Sequence, residues 1–221
     1  MKPYYQDDLV TLYHADCLKH PDLWTSADVL CTDPPYGYAH SSNQEGVFKG
    51  EVIANDQDLE ARNRVLAEWG DKPALVFGSW KMPKPAGTHT VLIWDKGMAS
   101  GMGDLSIPWK PNTEEIYVLG RGFVGHRGSS VLTGKVVTWA SKGREHPNQK
   151  PRSLMVELLE KCPAPWVVAD PFAGSGSTLV AAKQLGRRAI GVELEEHYCE
   201  IAAQRLAQDA LPIWELPGGA A

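Results

Sequence analysis

No run of about 18 apolar residues exists in this 221-residue chain, so no membrane-spanning helix is expected. The start, residues 1–10, carries Asp7 and Asp8 and no apolar stretch, which argues against a signal peptide. Cysteine is scarce: Cys17, Cys31, Cys162 and Cys199 make no CxxC pair and no zinc-type spacing. The 7 histidines show no ligand spacing either, so no metal is assigned. Reduced, buried thiols in an intracellular protein are the reading that fits. No internal repeat or low-complexity tract interrupts the chain. A content of 43% hydrophobic and 22% charged residues is that of a globular protein, and the length suits one domain spanning 1–221.

The net charge of −5 conceals an asymmetry. Residues 81–152 hold 11 Lys plus Arg against 5 Asp plus Glu, a balance of +6, which leaves −11 for the rest. One basic face on an acidic body is expected, with an anionic partner for it.

Seven strand-like runs recur: Val10-Thr11-Leu12-Tyr13, Val29-Leu30-Cys31-Thr32, Ala74-Leu75-Val76-Phe77, Thr90-Val91-Leu92-Ile93-Trp94, Glu115-Ile116-Tyr117-Val118-Leu119, Trp166-Val167-Val168-Ala169 and Arg188-Ala189-Ile190-Gly191-Val192. Several are continuously apolar, as strands buried on both faces are. Helical patterns lie at 58–69, 153–161, 178–185 and 195–208, the third stopping at Gly186. Strands alternating with helices predict an α/β sheet. Residues 37–55 and 120–144 are polar or basic and rich in glycine, and 211–221 is a Pro/Gly/Ala tail. Long loops of the first kind are often binding segments.

Two strings at strand ends carry chemistry. Asp170-Pro171-Phe172-Ala173-Gly174-Ser175-Gly176-Ser177-Thr178 is a glycine turn opening a helix, where backbone amides can meet a ligand. It lacks the lysine of a phosphate-binding P-loop. Glu193 ends the next apolar strand, 19 residues after Gly174, where a carboxylate can accept ribose hydroxyls. Asp33-Pro34-Pro35-Tyr36 suits an amino group on a flat ring. Such an amine is a poor nucleophile because its lone pair is delocalised into the ring. The Asp33 carboxylate and the Pro34 carbonyl can accept its two N–H groups and free the lone pair, while Pro35 holds the turn extended. Tyr36 offers a stacking face for a base taken out of its helix. The pair of strings points to methyl transfer onto an exocyclic amine.

In this order the strings resemble those of the DNA amino-methyltransferases, which methylate N6 of adenine or N4 of cytosine with S-adenosylmethionine. Asp33 to Tyr36 matches the catalytic motif and Phe172 to Thr178 the cofactor motif. His146-Pro147-Asn148-Gln149-Lys150-Pro151 is similar to the segment that closes over the cofactor's methionine part, and Tyr13-His14-Ala15-Asp16-Cys17 to the strand end that contacts its adenine. Ile93-Trp94-Asp95-Lys96 and Glu114-Glu115-Ile116 extend the likeness. Catalytic motif first and cofactor motif last resembles the circularly permuted beta class. The resemblance implies a doubly wound α/β fold, Rossmann-like, whose seven-stranded sheet is mostly parallel with one strand antiparallel. It implies catalytic Asp33, Pro34, Pro35 and Tyr36. It implies cofactor contacts from Asp16, Cys17, Asp33, His146, Asn148, Lys150, Asp170, Phe172, Gly174, Ser175, Gly176, Ser177, Thr178 and Glu193.

No Pro-Cys dipeptide exists, so C5-cytosine chemistry is disfavoured. In the family an Asp or Asn in first place goes with adenine and a Ser with N4-cytosine, so Asp33 favours adenine, with N4-cytosine and RNA or protein amines as alternatives. A nucleotide- or NAD-dependent enzyme would leave Asp33 to Tyr36 unexplained; a non-enzymatic DNA-binding module is a further rival. The expected partner is double-stranded DNA, gripped within a short recognition region, residues 98–144. There Arg127, Lys135, Lys142 and Arg144 can track phosphates and Trp109, Phe123 or Trp139 can fill a base step. So short a region implies a short target, loose specificity or a second subunit that supplies contacts, and a homodimer is expected. A cytoplasmic protein of bacterial or phage type is expected.

Overall fold

The computed structural model describes residues 1–37, 58–97, 105–133 and 149–208. Along the chain run β1 (Tyr5–Gln6), β2 (Val10–His14), β3 (Val29–Thr32), α1 (Glu60–Trp69), β4 (Ala74–Gly78), β5 (Thr88–Asp95), β6 (Thr113–Leu119), β7 (Val131–Thr133), α2 (Arg152–Leu159), β8 (Val168–Asp170), α3 (Ser177–Gln184), β9 (Ala189–Glu193) and α4 (Glu196–Gln208). They form one sheet in the order β1-β2-β9-β8-β3-β4-β6-β5-β7. All seven anticipated strands are present. Six run the same way and β6 is reversed between β4 and β5. The unanticipated β1 and β7 are edge strands of 2 and 3 residues, too short to leave a periodic signal.

The apolar runs are explained by burial on two faces. Val29, Cys31, Leu75, Phe77 and Val168 pack with Leu154, Met155, Leu158, Leu179, Val180 and Leu206 from α2, α3 and α4. Their neighbours Leu30, Ala74, Val76 and Ala169 point the other way, onto Val65 and Trp69 of α1 and onto Trp24. Trp24 and Trp69 stack with centroids 6.1 Å apart, and each indole N–H donates to a backbone carbonyl, of Cys17 and Pro73 respectively. A strand with helices on both sides cannot alternate polar with apolar, which is why the sequence reads as continuous.

All four cysteines are buried and unbridged, and burial pushes the thiols of Cys17 and Cys199 up to about 12 and that of Cys162 to about 11. Among the described residues no helix is long and apolar enough to cross a membrane, and no cluster of His, Cys, Asp and Glu is arranged to hold a metal.

Candidate active site

Parallel strands deliver their C-terminal residues to one edge, and four carboxylates gather there. Asp16 follows β2, Glu193 ends β9, Asp170 ends β8 and Asp33 follows β3, in that spatial order. Glu114 joins them because β6 is reversed and begins at the same edge. The catalytic and cofactor strings thus come from adjacent strands, paired through Val29 with Val168 and Leu30 with Ala169. The Thr32 hydroxyl donates to Asp170 Oδ1 at 2.7 Å and ties the two strand ends together. Asp170 is 3% exposed, and burial raises its pKa to about 6 against the hydroxyls of Thr178 and Thr32 and the amide of Phe172.

The glycine turn is held from two sides. Glu193 accepts the Gly174 amide on Oε2 at 2.7 Å and the Glu195 amide on Oε1 at 2.8 Å. Burial raises its pKa against those amides. Each oxygen keeps a lone pair, so the carboxylate can still accept a diol. Behind the turn, Arg205 of α4 donates to the Ser175 carbonyl and lies 3.1 Å from Ser175 Oγ and 3.5 Å from Ser177 Oγ. Gly176 caps α3 with φ +79°, and a Cβ there would stand 2.9 Å from that of Ala202. The first amides of α3 have no partner within the helix. Asp16 accepts the Leu18 amide at 3.0 Å and pairs with Lys19 at 3.2 Å. A carboxylate for a diol, a glycine cradle and a helix start together fit a nucleoside-bearing cofactor.

At the neighbouring turn, Tyr36 donates its hydroxyl to Asp33 Oδ1 at 2.6 Å. Lys150 inserts from the far side of the sequence. Its ammonium lies 2.8 Å from Asp33 Oδ2, 3.0 Å from Glu114 Oε2 and 3.3 Å from the Tyr36 hydroxyl. It also sits 4.9 Å from the ring centroid of Phe77, 5.7 Å from that of Tyr36 and 5.9 Å from that of Trp94. Lys96 pairs with the other oxygen of Glu114. Burial pushes the Asp33 carboxyl above its usual range; Lys150 opposes this and Glu114 adds to it. Burial would raise Glu114 too, but Lys150 and Lys96 outweigh it and hold it below. The two carboxylates keep Lys150 protonated despite its burial. A small cleft beside the turn is lined by Pro35, Tyr36, Leu59, Arg62, Phe77 and Met82.

Of the residues singled out in the sequence, Asp33 to Tyr36, Asp16, Asp170, Phe172, Gly174, Gly176 and Glu193 meet at this edge. Lys150 meets Asp33 rather than the glycine turn. The hydroxyls of Ser175 and Ser177 face Arg205, and that of Thr178 lies 3.4 Å from the Cys31 carbonyl, while the Gly174 and Gly176 amides donate to Glu193 and to the Ala173 carbonyl. Cys17 is 5% exposed beneath Asp16. His146, Asn148, Lys135, Lys142, Arg144 and Trp139 lie outside the described residues, as does the 211–221 tail. Arg127 is exposed, Trp109 is 77% exposed, and Phe123 packs edge-on against Trp166 at 6.1 Å. Sequence reasoning gave no role to Thr32, Lys96, Glu114 or Arg205. The one available signal was a glutamate and a lysine in strings already noted for their likeness.

A DNA methylase family model matches residues 74–204. The type II methyltransferase M2.DpnII of Streptococcus pneumoniae is 47% identical over 93% of this chain and 92% of its own. Among solved structures, the M1.HpyAVI-SAM complex superposes with a TM-score of 0.65 at 23% identity, over 90% of this chain and 99% of that one. The cytosine-N4-specific PvuII DNA methyltransferase does so at 0.69 and 15%, over 100% and 91%. With the family model covering residues 74–204 and a relative 47% identical over 93% of the chain, the chain belongs to the N6/N4 DNA methylases.

Proposed function

We propose that this chain transfers a methyl group from S-adenosylmethionine to the N6 amine of adenine in duplex DNA, with the target base taken out of the helix. The observation that carries this reading is the junction of Asp33 and Asp170 on adjacent strands, which sets an acceptor for an amine beside a nucleoside cradle. Asp in the first place of the catalytic string is what favours adenine over cytosine.

S-adenosylmethionine, when bound, supplies an electrophilic methyl group. Glu193 would accept its ribose hydroxyls, Asp16 would hold its adenine, and Asp170, Phe172 and the turn from Gly174 to Thr178 would enclose the remainder. Asp33 accepts one N–H of the target amine and the Pro34 carbonyl the other, which localises the lone pair on nitrogen. Tyr36 supports the flipped base with its ring and fixes Asp33 with its hydroxyl. These hydrogen bonds strengthen as nitrogen gains positive charge, so they favour the transition state over the bound substrate. Residues 98–144, with Arg127 and Trp109 on the surface, provide the DNA contacts.

The test is transfer of labelled methyl to unmodified duplex DNA followed by nucleoside mass analysis, with Asp33→Ala in parallel. The expected product is N6-methyladenine, lost in the variant. N4-methylcytosine would overturn the base assignment, and label on neither base would overturn the duplex substrate.

A further inference from the structure

The Lys150 ammonium has three N–H groups and no acceptor, and three oxygens meet it: Asp33 Oδ2, Glu114 Oε2 and the Tyr36 hydroxyl. Around it stand the rings of Phe77, Tyr36 and Trp94. A carboxylate and several aromatic faces form a recess suited to a positively charged nitrogen. The amine undergoing methylation becomes such a nitrogen. We propose that in the free enzyme Lys150 occupies the place of the target amine on Asp33, and that Glu114 is a positioning residue that retains the Lys150 ammonium when the amine takes that place. This rests on the reading of Asp33 as the acceptor for the amine.

The geometry makes the exchange feasible. The Lys150 side chain is 7% exposed and that of Asp33 26%, so the carboxylate can be reached from solvent although its partner is enclosed. A neutral amine cannot displace an ammonium from a carboxylate unless the ammonium has another counter-charge. Glu114 is already in contact at 3.0 Å, so Lys150 can lean onto it without crossing a desolvated gap. Lys96 holds the second oxygen of Glu114 and keeps that carboxylate in position. Two lysines and two carboxylates leave the cluster neutral, and moving one cation between two anions keeps it so.

A cluster that merely held the fold together would behave differently from one that competes with substrate. Glu114→Gln leaves Asp33 as the sole anion for Lys150. It is expected to raise the KM for duplex DNA by roughly tenfold, the worth of one charge-assisted hydrogen bond, with cofactor affinity by calorimetry unchanged. Adding Lys150→Met to Glu114→Gln removes the competitor and is expected to return the KM to the parent value or below. A double variant whose KM stays as high as that of Glu114→Gln overturns the proposal. Lys150→Arg keeps the charge but grips Asp33 with a planar fork, so its KM is expected to rise; a parent-like KM overturns the proposal as well. Asp33→Ala, which removes the acceptor altogether, separates the two levels in the same assay. If it methylates at the parent rate, the reading of Asp33 fails and the inference with it. If it is inactive and the double variant shows no recovery, the exchange alone is refuted.

Discussion

Replacing Glu193 with glutamine is expected to weaken S-adenosylmethionine binding and to lower stability by separable amounts. In the parent, the Gly174 and Glu195 amides each donate to a different carboxylate oxygen, at 2.7 and 2.8 Å. Glutamine keeps one acceptor oxygen and turns an NH2 towards the other amide. Whichever way the side chain flips, one backbone donor at a nearly buried site is orphaned, at a cost of about 1–3 kcal/mol. For a chain of this length that is a fall in Tm of roughly 2–10 °C without cofactor. Burial raises the Glu193 pKa, and the neutral amide escapes that penalty, so the lower half of the range is expected. A charge-assisted bond to a ribose hydroxyl is also lost, worth about 1.5–3 kcal/mol, or about 10–100-fold in Kd. Thermal unfolding of the free protein reads the first effect and calorimetric titration with S-adenosylmethionine the second. A Kd within about twofold of the parent, with Tm lowered, would refute the ribose contact and leave Glu193 a buttress of the turn.

Three further outcomes follow from the same edge. Burial raises the Asp170 pKa to about 6 in the fold, above its ordinary 3.8, so the unfolded chain releases this proton first. Stability should therefore fall as pH rises between those values, by up to ~3 kcal/mol, and the Asp170 contribution should be flat on either side; unfolding of parent and Asp170→Asn across that window must show a difference that changes with pH. Gly176→Ala meets both a φ of +79° and a contact of 2.9 Å with Ala202. A loss of about 1–3 kcal/mol is expected in denaturant melts, and Ala202→Gly should recover only the contact share. Arg205→Met frees the Ser175 carbonyl and is expected to weaken S-adenosylmethionine binding by roughly tenfold, with partial recovery in Arg205→Lys; an unchanged Kd would show that the turn holds its shape without it.

Much of the fold was legible because its signals are local. Val29 to Thr32 and Ala74 to Gly78 are buried at every position, and a strand covered on both faces must be written in apolar residues. The four helices form within a residue or two of their periodic patterns, since the stripe that packs on the sheet is itself the pattern. β1 and β7 left no trace because pairing at a sheet edge, and not composition, makes them strands. At the site, the two motif strings and Glu193 were legible from their places at strand ends. The partners of their side chains were not. Ser175 and Ser177 read as cofactor ligands, but nothing local shows that Arg205, about 30 residues away, reaches their hydroxyls. Lys150 reads as part of a loop over the cofactor, and only the fold shows that its charge meets Asp33.

The sequence by itself determined a two-faced α/β sheet, the order of its motifs and the residue types available for an amine and a nucleoside. Tertiary structure alone decided which strand runs backwards, and the reversal of β6 brings Glu114 to the edge where the parallel strands end. It alone decided that Lys150 joins Asp33 to Glu114. The physical reason is that the desolvation of a buried charge is settled by whichever opposite charge the packing brings within reach, at any separation along the chain.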